Sequence, residues 1–454
     1  MYLRLYDTKS REVQEVRGTD KKVSMYCCGP TVYRDAHVGN MRTFLLSDLI
    51  RRTLQILDFD VRLIQNITDV GHMSEDFEGE DKLISQSRLE HIDPFGVARK
   101  YEEHFHSDLR LLNILPADKY PRASESIELM QSMIGELIKR GNAYIGSDQS
   151  VYFDASSFTT YGELSGNRLD SLKPGHRYEY TGEGGKRFHA DWALWKSAGE
   201  RKEMVWDSPW GLGFPGWHIE CSAMSLHYLD SHVDVHVGGI DLRFPHHENE
   251  RAQSNSITGN ECVDLWAHGE HLLFQGRKMS KSAGNVVLVN TVVEHGFDPL
   301  AVRLVFLENR YRSQMDLTWD SISAAHDTIR RWRTMVNESG QTSPIKHEQI
   351  KEALSADLDT PKAVQILRGI EKDPTLITEV KAGYFLYADQ VFGLDLNRPT
   401  IERELPAQLE ELLKLRAQTR ANKNWVESDR LRRLLEEEGL IIEDAPTKQR
   451  WRWR

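Results

Sequence analysis

The sequence has few cysteines and no long apolar run, and these absences exclude several classes of protein. Four cysteines in 454 residues are too few for a disulfide scaffold, so we expect reduced thiols that can bind a metal. No apolar stretch approaches the ~18 residues of a membrane-spanning helix. The N-terminus also lacks the apolar segment of a signal peptide. We therefore expect a cytoplasmic protein with no membrane partner.

A surplus of positive charge is missing as well. The net charge of −11 argues against a protein that coats nucleic acid along its length. The charge is uneven, however, because residues 411–454 contain eleven Lys or Arg against eight Asp or Glu, a net charge of +3. No internal repeat or low-complexity tract is visible. The sequence predicts an acidic enzyme body that binds RNA only at local basic patches such as the C-terminal end.

The hydrophobic pattern near the N-terminus predicts one half of a parallel sheet. Residues 23–28 form a short apolar run typical of a buried strand, and residues 61–64 form another. Between them, apolar residues recur every three or four positions over residues 38–57, which predicts an amphipathic helix. A right-handed strand–helix–strand unit places His37 and Gly39 at the carboxyl edge of the sheet, where open α/β sheets bind ligands.

These elements predict an α/β fold: a Rossmann-type parallel-sheet catalytic domain with an inserted connective domain, followed by C-terminal helical domains. Residues 118–212 interrupt the α/β pattern, so we expect the catalytic domain in two halves, residues 1–117 and 213–315. Helical periodicity then predicts segments 321–336 and 346–367 in a bundle domain, residues 316–396. Segments 407–423 and 425–438 are predicted as helices of a last domain, residues 397–454.

Four residues that are far apart in the chain have the chemistry of a metal site. Cys28 ends the first predicted strand, and Cys221 follows Trp217-His218-Ile219-Glu220. His246 and Glu250 are four residues apart, so on a helix they share one face. Two thiolates, an imidazole and a carboxylate form a set that suits zinc.

The residues alone leave alternatives open at this site. Cys27 and His247 are rival ligands, because neighbouring residues point in different directions. A non-metal interpretation makes both Cys28 and Cys221 small buried apolar residues. In that case, the histidines simply begin a solvated helix.

A second constellation has the chemistry of a nucleotide site. His37 and Asn40 flank Gly39 at the start of the predicted helix, where the helix N-terminus favours phosphate. Both side chains can donate hydrogen bonds to charge that develops at the α-phosphate, and Gly39 allows a close approach. The alternative is a helix cap with a surface histidine.

The segment Lys278-Met279-Ser280-Lys281-Ser282 completes this constellation. Gly276 before it and residues 283–285 after it indicate a flexible loop. Lys278 and Lys281 supply positive charges that can follow a departing pyrophosphate, and the serines can bind it by hydrogen bonds. The alternative is a solvated surface turn.

The C-terminal end combines basic and aromatic residues in a way that suits single-stranded RNA. Bases stack on aromatic rings while phosphates pair with cations, and Lys423, Trp425 and Trp451 are the contacts that we predict. The alternative for the last five residues is a frayed basic tail. Further basic residues on the last two predicted helices are Arg416, Arg420, Arg430 and Arg433.

Taken in order, these motifs resemble those of the class I aminoacyl-tRNA synthetases, and most closely those of the cysteinyl-tRNA synthetase family. The resemblance covers nearly the whole chain. The segments that carry it are Cys28-Gly29-Pro30-Thr31-Val32-Tyr33, residues 37–40, Asn66-Ile67-Thr68-Asp69, Gly216-Trp217-His218-Ile219-Glu220-Cys221-Ser222, Phe244-Pro245-His246-His247-Glu248-Asn249-Glu250 and the lysine loop.

The resemblance implies an activity and a set of site residues. The family binds one zinc ion on residues that match Cys28, Cys221, His246 and Glu250, and the ion binds the thiolate of the cysteine substrate. ATP is expected with Mg²⁺ and tRNA(Cys) is the expected acceptor, bound by a monomer whose terminal module reads the anticodon. The implied catalytic residues are His37, Asn40, Lys278 and Lys281, with Gly39 at ATP and with Trp217 and Thr68 at the amino acid.

Zinc explains how such an enzyme separates cysteine from serine. A pocket that judges only size or polarity separates such pairs by roughly 1–3 kcal/mol. A thiol of pKa ~8.5 ionises on the metal, whereas a hydroxyl is a much poorer ligand. The discrimination can then be large enough that no editing domain is needed.

Two positions depart from the family pattern. Asn40 stands where the usual signature has histidine, and because asparagine still donates we expect a re-tuned function. His72 follows a motif that many members continue with paired aspartates, so a pocket residue and a surface histidine are both open for it.

Two other functions stay open beside the synthetase. A related ligase joins cysteine to a small amine and lacks an anticodon module, which the basic, Trp-bearing C-terminus argues against. A non-catalytic paralogue would be expected to lack His37, Lys278 or Lys281, and all three are present.

Overall fold

Four parallel strands form the sheet on which the site is built. The computed structural model describes residues 1–70, 81–169, 185–279, 284–399, 405–444 and 449–453. The sheet has the order β10-β9-β3-β4, with every neighbouring pair parallel. Its strands are β3 (Lys22–Cys27), β4 (Asp60–Gln65), β9 (Val233–Gly239) and β10 (Val263–Gly269). The predicted Rossmann-type sheet is confirmed.

Helix α1 (Val38–Ile56) joins β3 to β4 and lies against the sheet. Its apolar residues fall at three- and four-residue spacing, and Met41, Ile50 and Leu54 are fully buried. The predicted strand–helix–strand unit is therefore present, and its first turn lies at the carboxyl edge of the sheet. Helices α2 (Lys82–Glu90) and α3 (Pro94–Leu111) follow β4 in the chain. A hairpin of β1 (Arg4–Asp7) and β2 (Glu12–Glu15) precedes the sheet at the N-terminus.

In the chain, a separate antiparallel sheet lies between the two halves of the parallel sheet. It consists of β5 (Ala143–Ile145), β6 (Val151–Phe153), β7 (Trp192–Ser197) and β8 (Gly213–Pro215), in that order, and follows α4 (Ile127–Lys139). Its core is aromatic, with Phe153 stacked on Trp192 at 4.4 Å between ring centroids. Strand β8 runs directly into α5 (Trp217–Tyr228), so this sheet fixes where α5 begins.

The second half of the catalytic region ends in a small sheet beside the lysine loop. Helix α6 (His246–Thr258) precedes β10, and β11 (Leu272–Phe274) then pairs with β12 (Arg277–Lys278) and with β13 (Met315–Leu317). Helices α7 (Val289–Glu294) and α8 (Leu300–Leu307) lie between β12 and β13 in the chain.

The helical region contains α9 (Trp319–Glu338), α10 (Glu348–Ser355), α11 (Thr360–Lys372) and α12 (Thr378–Phe392). The prediction of one helix over residues 346–367 is wrong. Asp357 and Leu358 have positive φ values of 56° and 48°, which a helix cannot contain. The Asp359 side chain then caps α11 by accepting from the Lys362 N–H at 3.2 Å.

A buried guanidinium joins the helical region to the catalytic sheet. Arg303 of α8 is fully buried and forms an ion pair with Asp48 of α1. It also donates to the carbonyl oxygens of Leu112 and Asn113, both at 3.0 Å, after the end of α3. A further bond reaches the carbonyl of Phe392 at the end of α12. One side chain thus contacts three segments that are distant in sequence.

The chain ends in a helical pair and a hairpin: α13 (Ala407–Ala421), α14 (Trp425–Glu437), β14 (Leu440–Asp444) and β15 (Gln449–Trp453). The residues predicted as either an RNA contact or a frayed tail therefore include a paired strand. None of the described helices is long and apolar enough to cross a membrane. The division into five domains at residues 117, 212, 315 and 396 stays a prediction.

The turn after β3 approaches the end of β4 so closely that we expect only glycine to fit at position 29. A Cβ added at Gly29 would lie 1.6 Å from the backbone oxygen of Asn66, which directly follows β4. We expect Gly29→Ala to cost more than about 2 kcal/mol, lowering Tm by ~2 °C or more in a thermal melt. Gly135→Ala in α4 is the control, because a Cβ there meets nothing within 4 Å. Equal melting of both variants would contradict the argument.

Candidate functional site

A cavity of about 360 Å³ lies at the carboxyl edge of the parallel sheet. The strand ends, the first turn of α1, the start of α5 and strand β12 all contribute to its wall. Residues predicted from separate motifs meet here: Cys28, His37, Gly39, Asn40, Trp217 and Lys278.

Four buried groups converge beside the cavity. The Cys28 Sγ lies 3.8 Å from the Cys221 Sγ and 3.4 Å from the Glu250 Oε1. The His246 Nε2 lies 2.9 Å from the same Glu250 oxygen. All four ligand atoms lie within 4.8 Å of one another, which is the spacing that a single metal ion requires. The structure therefore brings together the four predicted ligands.

A second group of possible ligands shares two of these residues. His236 and His247 each place Nε2 3.4 Å from the Cys28 Sγ, and with Glu250 they form an alternative set. Cys27 belongs to neither group among the described residues. Its thiol contacts the Cys28 carbonyl at 3.7 Å, and burial raises its pKa to about 12.

The surroundings of His246 favour the first group. Its Nδ1 lies 2.9 Å from the Nδ1 of His218, and its ring packs on Trp217 with centroids 4.3 Å apart. Its buried Nε2 lies 2.9 Å from the Glu250 Oε1 but makes no well-aligned hydrogen bond in the described part of the chain. A metal ion beside this nitrogen would give it a partner.

The electrostatics of the cluster also fit a cation. Burial raises the pKa of both Cys28 and Glu250 well above their ordinary values, because a charged form is poorly solvated here. Burial likewise lowers the pKa of His236 and His247, which keeps both rings neutral. A divalent ion would supply the missing positive charge and stabilise the ionised ligands.

His37 is the N-cap of α1 and is held by Asn40 in a reciprocal pair of hydrogen bonds. The Asn40 N–H donates to the His37 Nδ1 at 3.2 Å, and the Asn40 Oδ1 accepts from the His37 N–H at 3.1 Å. Burial, together with the charge of Arg34, lowers the pKa of His37. A neutral ring that accepts at Nδ1 must carry its proton on Nε2, so His37 offers a donor there.

The lysine loop begins and ends against the same helix turn. Met279 packs on Gly39, where a Cβ would lie 2.8 Å from the Met279 Cε. On the far side of the loop, the Val38 N–H donates to the Val287 carbonyl at 2.9 Å. Lys278 is exposed on β12 and lines the cavity. Lys281 lies outside the described residues, as do Ser280 and Ser282, and so does His72.

The remaining predicted residues lie elsewhere. Thr68 is buried and donates to the Glu220 Oε2 at 2.8 Å, so it packs behind the described cavity wall rather than in it. Lys423 follows α13, and Trp425 begins α14 with 56% of its surface exposed. Trp451 lies on β15 and is 37% exposed. Arg416, by contrast, is buried and pairs with Asp444 at 2.8 Å, so it faces the protein interior rather than RNA.

Sequence reasoning missed several residues of the cavity and the cluster. The pattern of β9 and β10 could have indicated two of them, because each strand carries a histidine and parallel strands place ligands at their carboxyl ends. The other missed residues lie after those two strands or in the turn after β3. The full set is His236, His268, Arg34, Asp241, Glu270 and His271.

Two family models match the chain. The model described as the catalytic domain of tRNA synthetases class I (C) matches residues 14–327. The model described as the cysteinyl-tRNA ligase anticodon binding domain matches residues 402–452. Together they span both the parallel sheet and the C-terminal hairpin.

Full-length relatives and a solved structure agree with these models. A cysteine–tRNA ligase of Thermus thermophilus is 39% identical over 100% of this chain and 99% of its own length. One of Deinococcus radiodurans is 38% identical over 99% of this chain and 96% of its own. The methionyl-tRNA synthetase of Mycobacterium tuberculosis, solved with methionyl-adenylate, has a TM-score of 0.55 at 16% identity. It covers 82% of this chain and 90% of its own, which is a likeness of fold.

The four-ligand cluster predicts that metal binding depends on the Cys221 thiol and not on the Cys27 thiol. Cys221→Ala should abolish binding of one zinc equivalent per chain, because it removes a ligand of the first group only. Metal content of the purified protein, measured by inductively coupled plasma mass spectrometry, checks this. Cys27→Ala is the matched control and should keep its zinc, since it deletes a buried thiol outside both groups. Undiminished zinc in Cys221→Ala would instead favour the group with His236 and His247.

Proposed function

The chain belongs to the cysteinyl-tRNA synthetases of class I, and from this premise we propose that it activates L-cysteine with ATP and transfers the cysteinyl group to the 3′ end of tRNA(Cys). The observation that carries the proposal is that one cavity of about 360 Å³ brings both groups of predicted residues together. The metal-type cluster borders it through Cys28, while His37 and Lys278 line the part that suits a nucleotide.

We propose that Cys28, Cys221, His246 and Glu250 hold one zinc ion per chain. When bound, the ion supplies a soft Lewis acid that prefers a substrate thiolate to the hydroxyl of serine. The two thiols and the unpartnered His246 Nε2 support this ligand set. Trp217 packs on His246 and lines the cavity, so it is suited to cover the substrate side chain and exclude water.

In the activation step, a carboxylate oxygen of cysteine attacks the α-phosphorus of ATP, bound with Mg²⁺, and pyrophosphate leaves. His37 donates from Nε2 and Asn40 from its amide to the charge that develops on the α-phosphate oxygens. Gly39 leaves room for the phosphate, and the start of α1 favours its negative charge. Lys278 and Lys281 then stabilise the departing pyrophosphate.

In the transfer step, a terminal ribose hydroxyl of tRNA attacks the cysteinyl carbonyl and AMP leaves. We propose that the C-terminal module positions the RNA, with Trp425 and Trp451 as stacking surfaces and Lys423 as a phosphate contact. The 56% exposure of Trp425 supports this role, since an exposed indole ring can stack on a base. A small-amine ligase has no need of such a module.

The central test is cysteine-dependent ATP–pyrophosphate exchange followed by transfer to tRNA in the same reaction. We expect exchange with cysteine and little with serine, loss of exchange after zinc chelation, and transfer of labelled cysteine to tRNA. Serine and a zinc-reconstituted sample are the controls. Exchange without transfer would replace the proposal by the small-amine ligase, and no exchange would leave a binding paralogue.

A second prediction separates the two roles of Asn40. Asn40→Asp keeps an oxygen that accepts from the His37 N–H, so the helix cap and Tm should be retained. It removes the amide donor, so we expect kcat of exchange to fall by about 10²-fold. Asn40→Ala should also lose the bond from the His37 N–H, at about 1 kcal/mol of stability, while its backbone N–H still donates to the His37 Nδ1. Normal exchange in Asn40→Asp would restrict Asn40 to capping.

A further inference from the structure

A second cavity of about 250 Å³ lies beside the catalytic one and shares Glu270 with it. It lies where the N-terminal hairpin, the connective region and the end of β10 meet. Among the described residues, its wall contains three arginines and one acidic residue, Glu270. The wall also includes Thr8, Ser165 and His268, and its arginines are Arg11, Arg243 and Arg312.

The three arginines differ in how their charge is balanced. Arg312 is neutralised by Asp357, with Nε 2.9 Å from Oδ2, and packs over the ring of Tyr6. Arg11 and Arg243 form no ion pair within the part of the chain that the structure describes. Two guanidinium groups without a described carboxylate partner give this cavity a positive charge that suits an anion.

Neighbouring segments place both groups at the cavity, where Arg11 is exposed and Arg243 is half-buried. Arg11 reaches the connective region at Gly166, where an added Cβ would lie 3.0 Å from the Arg11 Nη2. Arg243 ends the 3₁₀ turn that follows β9 and lies close enough to His268 to lower its pKa, which burial first depresses, to about 3. His268 therefore stays neutral, and its two ring nitrogens are occupied by Thr8 at 2.7 Å and His247 at 2.8 Å.

The floor of the cavity adds a neutral donor. Ser165 is buried, and its Oγ accepts from the Asn167 N–H at 3.1 Å, which leaves the hydroxyl hydrogen for a ligand. Two guanidinium forks and a hydroxyl match the oxygens of a phosphate group, which accepts several charge-assisted hydrogen bonds at once.

We propose that this second cavity binds a phosphate group through Arg11 and Arg243. Two sources carry that chemistry: a free phosphate, or a phosphodiester near the 3′ end of the tRNA. The shared wall at Glu270 places either source next to the reaction. Binding of free phosphate is independent of the proposed function, whereas the tRNA source rests on it.

The test uses the full chain and the double variant Arg11→Gln/Arg243→Gln. The first arm titrates inorganic phosphate into protein saturated with ATP, so that the catalytic cavity is occupied, and follows heat by isothermal titration calorimetry. The second arm measures KM for tRNA in aminoacylation, with ATP–pyrophosphate exchange as the internal control. Arg62→Gln, at an exposed surface pair with Asp230, is the matched charge control.

Loss of the phosphate signal in the double variant, with Kd raised by about tenfold or more, would support a free-phosphate site. A similar rise in KM for tRNA, with exchange unchanged, would support the phosphodiester source. Wild-type values in both arms would overturn the proposal. Thermal melts exclude misfolding, and the single variant Arg243→Gln should show a smaller effect in the same direction. If wild-type exchange is absent, the proposed function fails while the phosphate titration still decides the site.

Discussion

Three acidic groups buried within a few ångströms of one another are the constraint on which this structure depends. Cys28, Cys221 and Glu250 come from three different elements, and burial disfavours the charged forms of Cys28 and Glu250. Holding them together requires the end of β3 and the helices α5 and α6 to meet at one point. The parallel sheet provides the edge at which β3 ends and beyond which α6 follows β9, and strand β8 leads α5 to the same place.

The connective region and the helix turns complete the arrangement. Strand β8 delivers Trp217 and His218 at the first turn of α5, where they contact His246 from outside the cluster. On the other side of the cavity, the reciprocal His37–Asn40 bonds fix a ring tautomer. The groups proposed to bind the amino acid and those proposed to bind the nucleotide thus lie at separate helix N-termini over one sheet.

The order of motifs made the fold and most of the site predictable. Apolar periodicity located β3, α1 and β4, and the i, i+4 spacing of His246 and Glu250 is confirmed as one helix face. Periodicity failed at residues 356–359 because local backbone conformation, rather than hydrophobicity, ends α10. Arg416 lies on a predicted helix, but its ion pair with Asp444 depends on a hairpin that a helical pattern cannot reveal. The partners of His246 and His247 required three-dimensional packing.

The buried Arg303 has a consequence for how the molecule comes apart. Its guanidinium is solvated only by carbonyls and a carboxylate drawn from α1, the end of α3 and the end of α12. If α12 detached alone, the buried guanidinium would lose its bond to the Phe392 carbonyl, at a cost of about 1.5–3 kcal/mol. Fraying of the bundle is therefore opposed by a group that also holds α1 and the end of α3 together.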